Sequence, residues 1–414
     1  MKKKLQFKYS TLMFLGNGTA QFLTLISTVI ITKYYLPEVY GEYSLIVLFV
    51  YLTLPISTKR FELVSLSTDG NEISQLVRSN IKRTLYFSLI IGLTSYFAFF
   101  VYWKDSFKNS ILIAALAFIA KYISDTISIL TGLNLRNKKF NNYIFSGILQ
   151  NSSTLILHVY LSSIFQNCAM LLIGFIAGRL LALIILVKEA EVRNIFANQN
   201  PNKEIGRLTT NTNFKQKTFV TASIFENLNM NLPFLFVFIL SNRTDLGIYS
   251  FALNLVQAPA LLLSNAIATP QFVFKNQHSL PKVQARVLNG NSISKGDLIS
   301  FLFVGIAYYL LIIFFSSYVI PRFTGESWMQ VTEIVRAISI PLAFQIFTNS
   351  LIISRISDGM WKLALTGSLA SLMFSMFSGL LTLIIFREIQ NVVVALLIGR
   401  NIGNLFSLFR LTKG

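Results

Sequence analysis

Cysteine and histidine are almost absent from this 414-residue chain, which contains only Cys168, His158 and His278. A single cysteine excludes an internal disulfide. The histidines lie in different segments, with no cysteine or carboxylate at ligand spacing, so no metal site is predicted. The glycines of residues 290–296 lack the Gly-Lys-Ser/Thr ending of a phosphate loop, and no nucleotide site is predicted either. We therefore expect no cofactor.

Acidic residues are also scarce, since 17 Asp and Glu stand against 36 Lys and Arg and give a formal net charge of +19. In a soluble protein such an excess of positive charge would indicate a nucleic-acid partner. Here only 13% of residues are charged and 53% are hydrophobic, with 37 phenylalanines. This composition indicates a membrane protein, and we expect no nucleic acid to bind it.

Long apolar stretches, each about 17 to 25 residues and so long enough to cross a bilayer, fill the chain almost end to end. Lipid offers no partner for an open backbone, so each stretch is predicted to be helical. The twelve predicted spans are 11–33, 43–58, 84–103, 108–131, 143–165, 167–187, 218–241, 247–270, 298–319, 331–353, 361–386 and 391–410. The sequence therefore predicts an all-α polytopic membrane protein with twelve transmembrane helices.

Lysine and arginine crowd every second connection between these spans and both ends of the chain. The alternate connections hold far fewer, and four more basic residues fall inside spans. Cytoplasmic loops of membrane proteins carry the excess of basic residues. We therefore predict that both termini and the longest basic loop, residues 188–217, face the cytoplasm. Attraction to anionic lipid head groups is a further use of this charge.

Two short sequence echoes, each six spans apart, indicate an internal repeat. Residues 41–44, Gly-Glu-Tyr-Ser, open the second span, and residues 247–250, Gly-Ile-Tyr-Ser, open the eighth. Gly178-Arg179 in the sixth span is echoed by Gly399-Arg400 in the twelfth. Agreement in spacing carries the inference, because four-letter matches are individually weak.

The repeat predicts two pseudo-symmetric lobes of six helices in parallel orientation. The boundary falls in the longest basic loop, which gives an N-terminal lobe over residues 1–200 and a C-terminal lobe over 201–414. A bundle of this kind is expected to surround a central cavity and to transport its substrate by alternating access.

Four segments resemble one transporter family. Residues 36–44, Leu-Pro-Glu-Val-Tyr-Gly-Glu-Tyr-Ser, resemble an L-P-E-x-Y/F-G-x-Y signature, and residues 60–62 are similar to an R-Y/F-E segment. Residues 133–140, between spans four and five, and residues 246–254, entering span eight, fit as well. The family is that of polysaccharide and O-antigen flippases in the multidrug/oligosaccharidyl-lipid/polysaccharide exporter superfamily.

This resemblance implies that the protein flips an undecaprenyl-diphosphate-linked oligosaccharide from the cytoplasmic to the periplasmic leaflet of a bacterial inner membrane, as a step in O-antigen or capsule synthesis. It implies a transporter rather than an enzyme. The lipid-linked oligosaccharide and membrane lipids are its expected partners, with Na⁺ or H⁺ as candidate coupling ions. A polysaccharide polymerase and a chain-length regulator are candidate protein partners.

Arg179 and Arg400 lie deep in their spans, too far from either end for easy snorkelling. Ionisable groups at that depth are costly and normally face a cavity or a partner. We predict that both arginines bind the pyrophosphate of the substrate. The alternative is a structural role, in which each arginine is bonded to helix carbonyls or to a carboxylate.

Two further sites carry acids inside the spans. Lys121 and Asp125 share a face of the fourth helix at i, i+4 spacing, which fits a structural ion pair as well as a substrate-contacting lysine with a tuning carboxylate. Glu226 lies in the seventh helix before Pro233, which should kink that helix. We expect Glu226 to be buried and to sense an ion or proton, and we assign Asp125 and Pro233 to ion coupling or gating. The alternative for Glu226 is a buried, protonated carboxyl among hydrogen-bonded asparagines.

Four amides could hydrogen-bond sugar hydroxyls: Asn17 and Gln21 in the first helix and Asn254 and Gln257 in the eighth. Contact between helices is the alternative use of the same side chains.

Other classes of protein fit less well. A membrane-embedded polymerase or glycosyltransferase would need a large outer loop with paired catalytic residues, whereas the predicted outer connections are short and lack paired carboxylates. A multidrug exporter of the same fold would need more acidic than basic groups within the membrane, and the spans hold three acids against four bases. A non-transporting scaffold is the third alternative.

Overall fold

Twelve long helices make up the part of the chain that the computed structural model describes, namely residues 2–65, 70–137, 139–189, 210–276, 295–357 and 361–411. They are α1 Lys2–Ile31, α2 Pro37–Leu52, α3 Gly70–Phe97, α4 Phe107–Arg136, α5 Phe140–Ser162, α6 Cys168–Glu189, α7 Thr210–Leu240, α8 Arg243–Asn276, α9 Lys295–Phe314, α10 Val331–Ser357, α11 Trp361–Phe386 and α12 Ile389–Leu411. Each corresponds to one predicted span, so the prediction of an all-α fold with twelve helices is confirmed.

Local sequence explains where several of these helices begin and where they are interrupted. Proline at the first position of α2 needs no amide partner, and the Ser106 hydroxyl accepts a hydrogen bond from the Asn109 amide at the start of α4. Helix α2 stops at Leu52 and a separate turn, Leu54–Ser57, follows it. Further short helices span Phe61–Val64, Ile320–Phe323 and, in the 3₁₀ form, Glu326–Trp328.

The C-terminal ends of α3 and α9 share an unusual feature. Both helices continue into a five-residue π-helix, Ala98–Tyr102 after α3 and Phe315–Val319 after α9. π-Helical segments are rare. Their occurrence at corresponding places, six helices apart, is a structural counterpart of the repeat in the sequence.

Within the described residues, eight helices are long and apolar enough to cross a membrane, and a shorter apolar helix spans Gly18–Ile31. Large apolar side chains cover their outer surface; Phe303 is 71% exposed and Ile384 is 75% exposed. A water-facing surface would rarely carry so many of these side chains. The chain is therefore a multi-pass membrane protein.

The chain forms two compact units, one made of residues 1–35 with 42–220 and the other of residues 36–41 with 221–414. Unit 1 has a core around Phe61, where α3, α4 and α6 meet, and unit 2 has a cluster around Leu232 and Leu396, where α7 and α12 meet. The predicted lobe boundary at residues 200 and 201 lies outside the described residues, as does most of the basic loop 188–217.

Two glycines allow the N-terminal turns of α2 and α8 to cross closely inside unit 2. A Cβ atom on Gly41 of α2 would stand 2.8 Å from the Gly247 amide nitrogen of α8, and one on Gly247 would stand 3.0 Å from Pro37 Cα. Backbone atoms cannot yield to a side chain at that distance. The two Gly-x-Tyr-Ser echoes of the sequence therefore contact each other.

Candidate functional site

Arg179 of α6 lies against two aromatic side chains in unit 1. Its guanidinium carbon lies 3.6 Å from the Phe175 ring centroid and 5.5 Å from that of Tyr51, and its Nη2 donates a hydrogen bond to the Tyr51 hydroxyl. The residue is 5% exposed, whereas Tyr51 is 39% exposed. Aromatic faces attract a cation without neutralising it. Arg179 is therefore held in place by neutral groups.

Arg400 of α12 is the corresponding arginine of unit 2 and is 2% exposed. Its Nη1 atom is buried without a hydrogen-bond partner. Glu226 of α7 is near enough to attract its charge. Among the described residues only Arg60–Glu62 and Lys121–Asp125 form ion pairs within 4.0 Å, so neither deep arginine is paired directly with a carboxylate. Arg400 Nη1 is thus a buried hydrogen-bond donor that is available to a ligand.

The glycine before each arginine explains why the two arginines occupy equivalent positions. A Cβ on Gly178 would stand 2.8 Å from the Gln150 carbonyl oxygen and would also strike Thr154; a Cβ on Gly399 would stand 2.8 Å from the Phe374 carbonyl carbon and would strike Ser378. Each glycine thus lets its helix touch the preceding helix at a carbonyl and at a hydroxyl four residues later. The Gly-Arg echo therefore marks one repeated packing arrangement.

Lys121 and Asp125 of α4 form a closed ion pair in unit 1. The Lys121 Nζ atom lies 2.6 Å from Asp125 Oδ1, and both side chains are 0% exposed. Lys121 also donates to the Val50 carbonyl and the Ser57 hydroxyl. All three donors of the ammonium group are occupied. In this structure Lys121 has no donor left for a substrate.

Glu226 differs from the expectation of a buried acid, because its side chain is exposed. The asparagines beyond it are arranged along α7, where Asn231 Nδ2 donates to the backbone oxygen and the side-chain oxygen of Asn227 at 2.8 and 2.9 Å. Pro233 is inside α7 and has no amide to donate to the Asn229 carbonyl. Asn231 is therefore bonded within its own helix, Asn229 Oδ1 is buried without a hydrogen-bond partner, and Glu226 is accessible.

The four candidate amides are scattered over the two units. Gln21 is half-buried in α1, and the side chain of Asn17 lies outside the described residues. Asn254 of α8 is exposed and donates to the Tyr40 hydroxyl at 3.2 Å, while Gln257 is half-buried. The Asn254 contact connects α8 to the beginning of α2 and fits the alternative use of this side chain in packing between helices.

The Arg60-Phe-Glu segment folds back on α4 at the end of the second span. Lys59 and Arg60 both adopt positive φ angles, 49° and 52°, which non-glycine residues rarely occupy. Arg60 Nη1 lies 3.3 Å from Glu62 Oε1, and Ser128 donates to Glu62 Oε2 at 3.2 Å. Two strained residues in sequence imply that the surrounding contacts impose this conformation.

Sequence reasoning did not identify the aromatic partners of Arg179. Phe175 precedes it by four residues on α6, and this i, i+4 spacing was a signal that could have identified it. Tyr51 is 128 residues away, so no local pattern points to it. An apolar pocket of about 710 Å³ between α11 and α12, lined by residues that include Met373, Phe377 and Phe406, was also not predicted. It includes none of the predicted site residues.

Comparison with known proteins agrees with this fold. The sequence model of a family described as polysaccharide biosynthesis protein matches residues 65–333. No curated protein sequence matches the chain significantly. Among solved structures, a mutant of the Vibrio cholerae MATE transporter VcmN superimposes with a TM-score of 0.65 at 13% identity, covering 99% of this chain and 96% of that one.

Two further structures are equally similar in fold. The lipid II flippase MurJ, in an inward closed conformation, gives a TM-score of 0.64 at 19% identity over 97% of this chain and 87% of its own. An inward-facing multidrug resistance MATE transporter of the MOP superfamily gives 0.62 at 12% identity over 95% of each chain. At these identities the similarity shows a common fold, and the fold does not separate a drug transporter from a lipid flippase.

Proposed function

The chain belongs to the polysaccharide biosynthesis protein family, and on that premise we propose that it is a flippase for undecaprenyl-diphosphate-linked oligosaccharides in a bacterial inner membrane. It moves the repeat unit of an O-antigen or capsule polysaccharide from the cytoplasmic to the periplasmic leaflet by alternating access. The reaction makes and breaks no covalent bond.

One observation carries the proposal: each unit buries an arginine at an equivalent position and pairs it with no carboxylate of the described residues. A buried cation with no carboxylate bonded directly to it is costly, so its retention points to a ligand that supplies the negative charge. A diphosphate fits, because its oxygens accept charge-assisted and bidentate hydrogen bonds from guanidinium groups. Arg179 and Arg400 are the proposed diphosphate ligands.

The charge state of Glu226 could control the affinity of Arg400 for the diphosphate. Its carboxylate attracts Arg400 in the present structure and would compete with a diphosphate for the same guanidinium. Neutralising Glu226 with H⁺ or Na⁺ would free Arg400 for the substrate. Ion binding and substrate binding are then coupled, provided that the two conformations of the transporter differ in their affinity for the ion. The Pro233 kink gives α7 a point at which to bend.

The proposed orientation in the membrane follows from the distribution of charge, and the proposed partners and sugar contacts complete the assignment. We place both termini and the basic loop 188–217 in the cytoplasm, where lysines and arginines attract anionic lipid heads. A polysaccharide polymerase and a chain-length regulator would act on the flipped product. The exposed Asn254, the half-buried Gln257 and the α1 amides Asn17 and Gln21 are proposed contacts for sugar hydroxyls.

A multidrug exporter of the same fold is the second candidate, because a MATE transporter superimposes as well as MurJ does. Its cationic substrates would call for acidic groups free inside the membrane. Of the acids predicted inside the spans, Asp125 is neutralised by Lys121 and Glu226 attracts the charge of Arg400, whereas no carboxylate of the described residues lies within 4.0 Å of Arg179. The charge of the described residues thus favours an anionic substrate.

The test is glycan export in a strain that lacks the gene and receives variants on a plasmid. We expect Arg179→Ala and Arg400→Ala to reach the membrane at parental abundance and to abolish export, so that lipid-linked glycan accumulates in the cytoplasmic leaflet. Lysine at either position should restore export only partly, since it keeps the charge and loses the planar fork.

Arg336→Ala is the matched control, because Arg336 is an exposed arginine near the outer end of α10 that donates to Ser317 at 3.0 Å. It should export normally. Normal export by the double variant Arg179→Ala, Arg400→Ala would refute the diphosphate site, and accumulation of no lipid-linked glycan in the deletion strain would refute the flippase function.

A further inference from the structure

The second span is a broken helix. Helix α2 ends at Leu52, Thr53 interrupts it, and a new turn begins at Leu54 with Pro55 in its first positions. Proline has no amide hydrogen, so the turn before it loses a hydrogen-bond donor. The carbonyl end of a helix also carries partial negative charge. Broken helices of this kind hold Na⁺ or H⁺ in many membrane transporters, where unwound carbonyls coordinate the ion.

In this protein an ammonium group occupies that place. Lys121 Nζ reaches across from α4 and lies 3.2 Å from the Val50 carbonyl oxygen, 3.0 Å from Ser57 Oγ and 2.6 Å from Asp125 Oδ1. The three oxygens come from a helix end, a hydroxyl and a carboxylate. These are the hard oxygen ligands that simple metal cations prefer.

The surroundings retain more oxygen ligands than the ammonium uses. Asp125 Oδ2 is buried without a hydrogen-bond partner, and Thr84 Oγ1 approaches the same carboxyl without forming a well-made bond. An ammonium donates three directed hydrogen bonds, whereas a metal ion accepts ligands from all sides. The surroundings of Lys121 Nζ thus have the composition of a cation site, and the ammonium group occupies it.

We propose that the Lys121 ammonium is a tethered substitute for a monovalent metal cation at the broken end of α2, so that unit 1 has no exchangeable coupling ion at this place. The oxygen cage formed by Val50, Ser57, Thr84 and Asp125 binds K⁺ or Na⁺ once the tether is removed. This inference does not depend on what the protein transports.

The test uses the full-length protein, purified in detergent, and compares its melting temperature in KCl, NaCl and choline chloride at the same ionic strength. Lys121→Ala should melt about 5–10 °C higher in about 100 mM KCl or NaCl than in choline chloride, because a bound cation stabilises the folded state. The wild-type protein should lack this increment, since its site is already filled.

Two controls separate the cage from general salt effects. Lys121→Ala combined with Asp125→Asn removes the anionic ligand and should lose the cation response. Lys82→Ala removes an exposed lysine of α3 and should behave like the wild type. A response in the wild type equal to that of Lys121→Ala would place the ion elsewhere and overturn the proposal.

Two other results also overturn it. Lys121→Ala could melt at one temperature in all three salts, in which case the cage does not bind a free cation. It could also fail to fold in every salt, which would show that K⁺ and Na⁺ cannot replace the ammonium. Lys121→Met fills the space with an apolar chain and should be insensitive to the cation; a K⁺ response in that variant would contradict the proposed site.

Discussion

Removing one member of the Lys121–Asp125 pair should destabilise the protein far more than removing both. The two side chains are 0% exposed and 2.6 Å apart, so solvent does not screen their interaction. Asp125→Asn leaves a buried ammonium with two neutral acceptors, the Val50 carbonyl and the Ser57 hydroxyl. Breaking a buried pair in this way costs about 3–5 kcal/mol.

The double variant Lys121→Met, Asp125→Leu should recover most of that loss. Replacing both charges by apolar groups of similar size removes the electrostatic cost together with the attraction, and the net change is commonly close to zero or favourable. A loss of about 3–5 kcal/mol corresponds to roughly 6–20 °C in melting temperature for a unit of this size. The melting temperature of each variant that removes only one member of the pair should fall by that amount. The melting temperature of the double variant should stay near the parental value.

The measurement is thermal denaturation of the detergent-solubilised protein, followed by the fraction that remains monodisperse. Glu62→Gln is the matched control, since the Arg60–Glu62 pair is 3.3 Å apart with side chains 29% and 18% exposed. Solvent screening limits such a pair to about 1 kcal/mol or less. If Asp125→Asn melts within about 2 °C of the parent, or if the losses of the two single substitutions add in the double variant, the pair does not hold unit 1 together.

Three further predictions concern coupling, packing and topology. Glu226→Gln mimics the neutral acid and should give normal membrane abundance with export that no longer depends on pH or sodium; parental export with unchanged dependence would exclude Glu226 from coupling. Valine at Gly178 or Gly399 should lower membrane abundance severalfold through overpacking that costs about 1–3 kcal/mol, whereas valine at Gly18, where an added Cβ would meet no other side chain or helix within 4 Å, should be tolerated. At Gly414, a fused reporter that works only in the cytoplasm should be active, and one that works only in the periplasm should be inactive. Activity of the periplasmic reporter at Gly414 would contradict the predicted orientation.

The sequence by itself determined the helices and their repeat. Hydropathy over about twenty residues is a local property, and lipid admits few alternatives to a helix, so the twelve helices were readable without coordinates. The Gly-Arg echo was readable as well, because close helix packing depends on the absence of a side chain at one position. The prediction that Arg179 and Arg400 bind substrate rested on their depth in the spans.

The tertiary structure decided which of the intramembrane charges are matched. Lys121 and Asp125 are four residues apart, which predicted a possible pair; the Val50 and Ser57 acceptors that complete its coordination are 71 and 64 residues away. Tyr51 is still more remote from Arg179, at 128 residues, and the exposure of Glu226 depends on how α7 packs. These contacts join helices that are distant in sequence, and a linear pattern carries no information on which faces meet. Hydropathy places a charge at a depth in the membrane, whereas packing between helices decides whether another residue neutralises it.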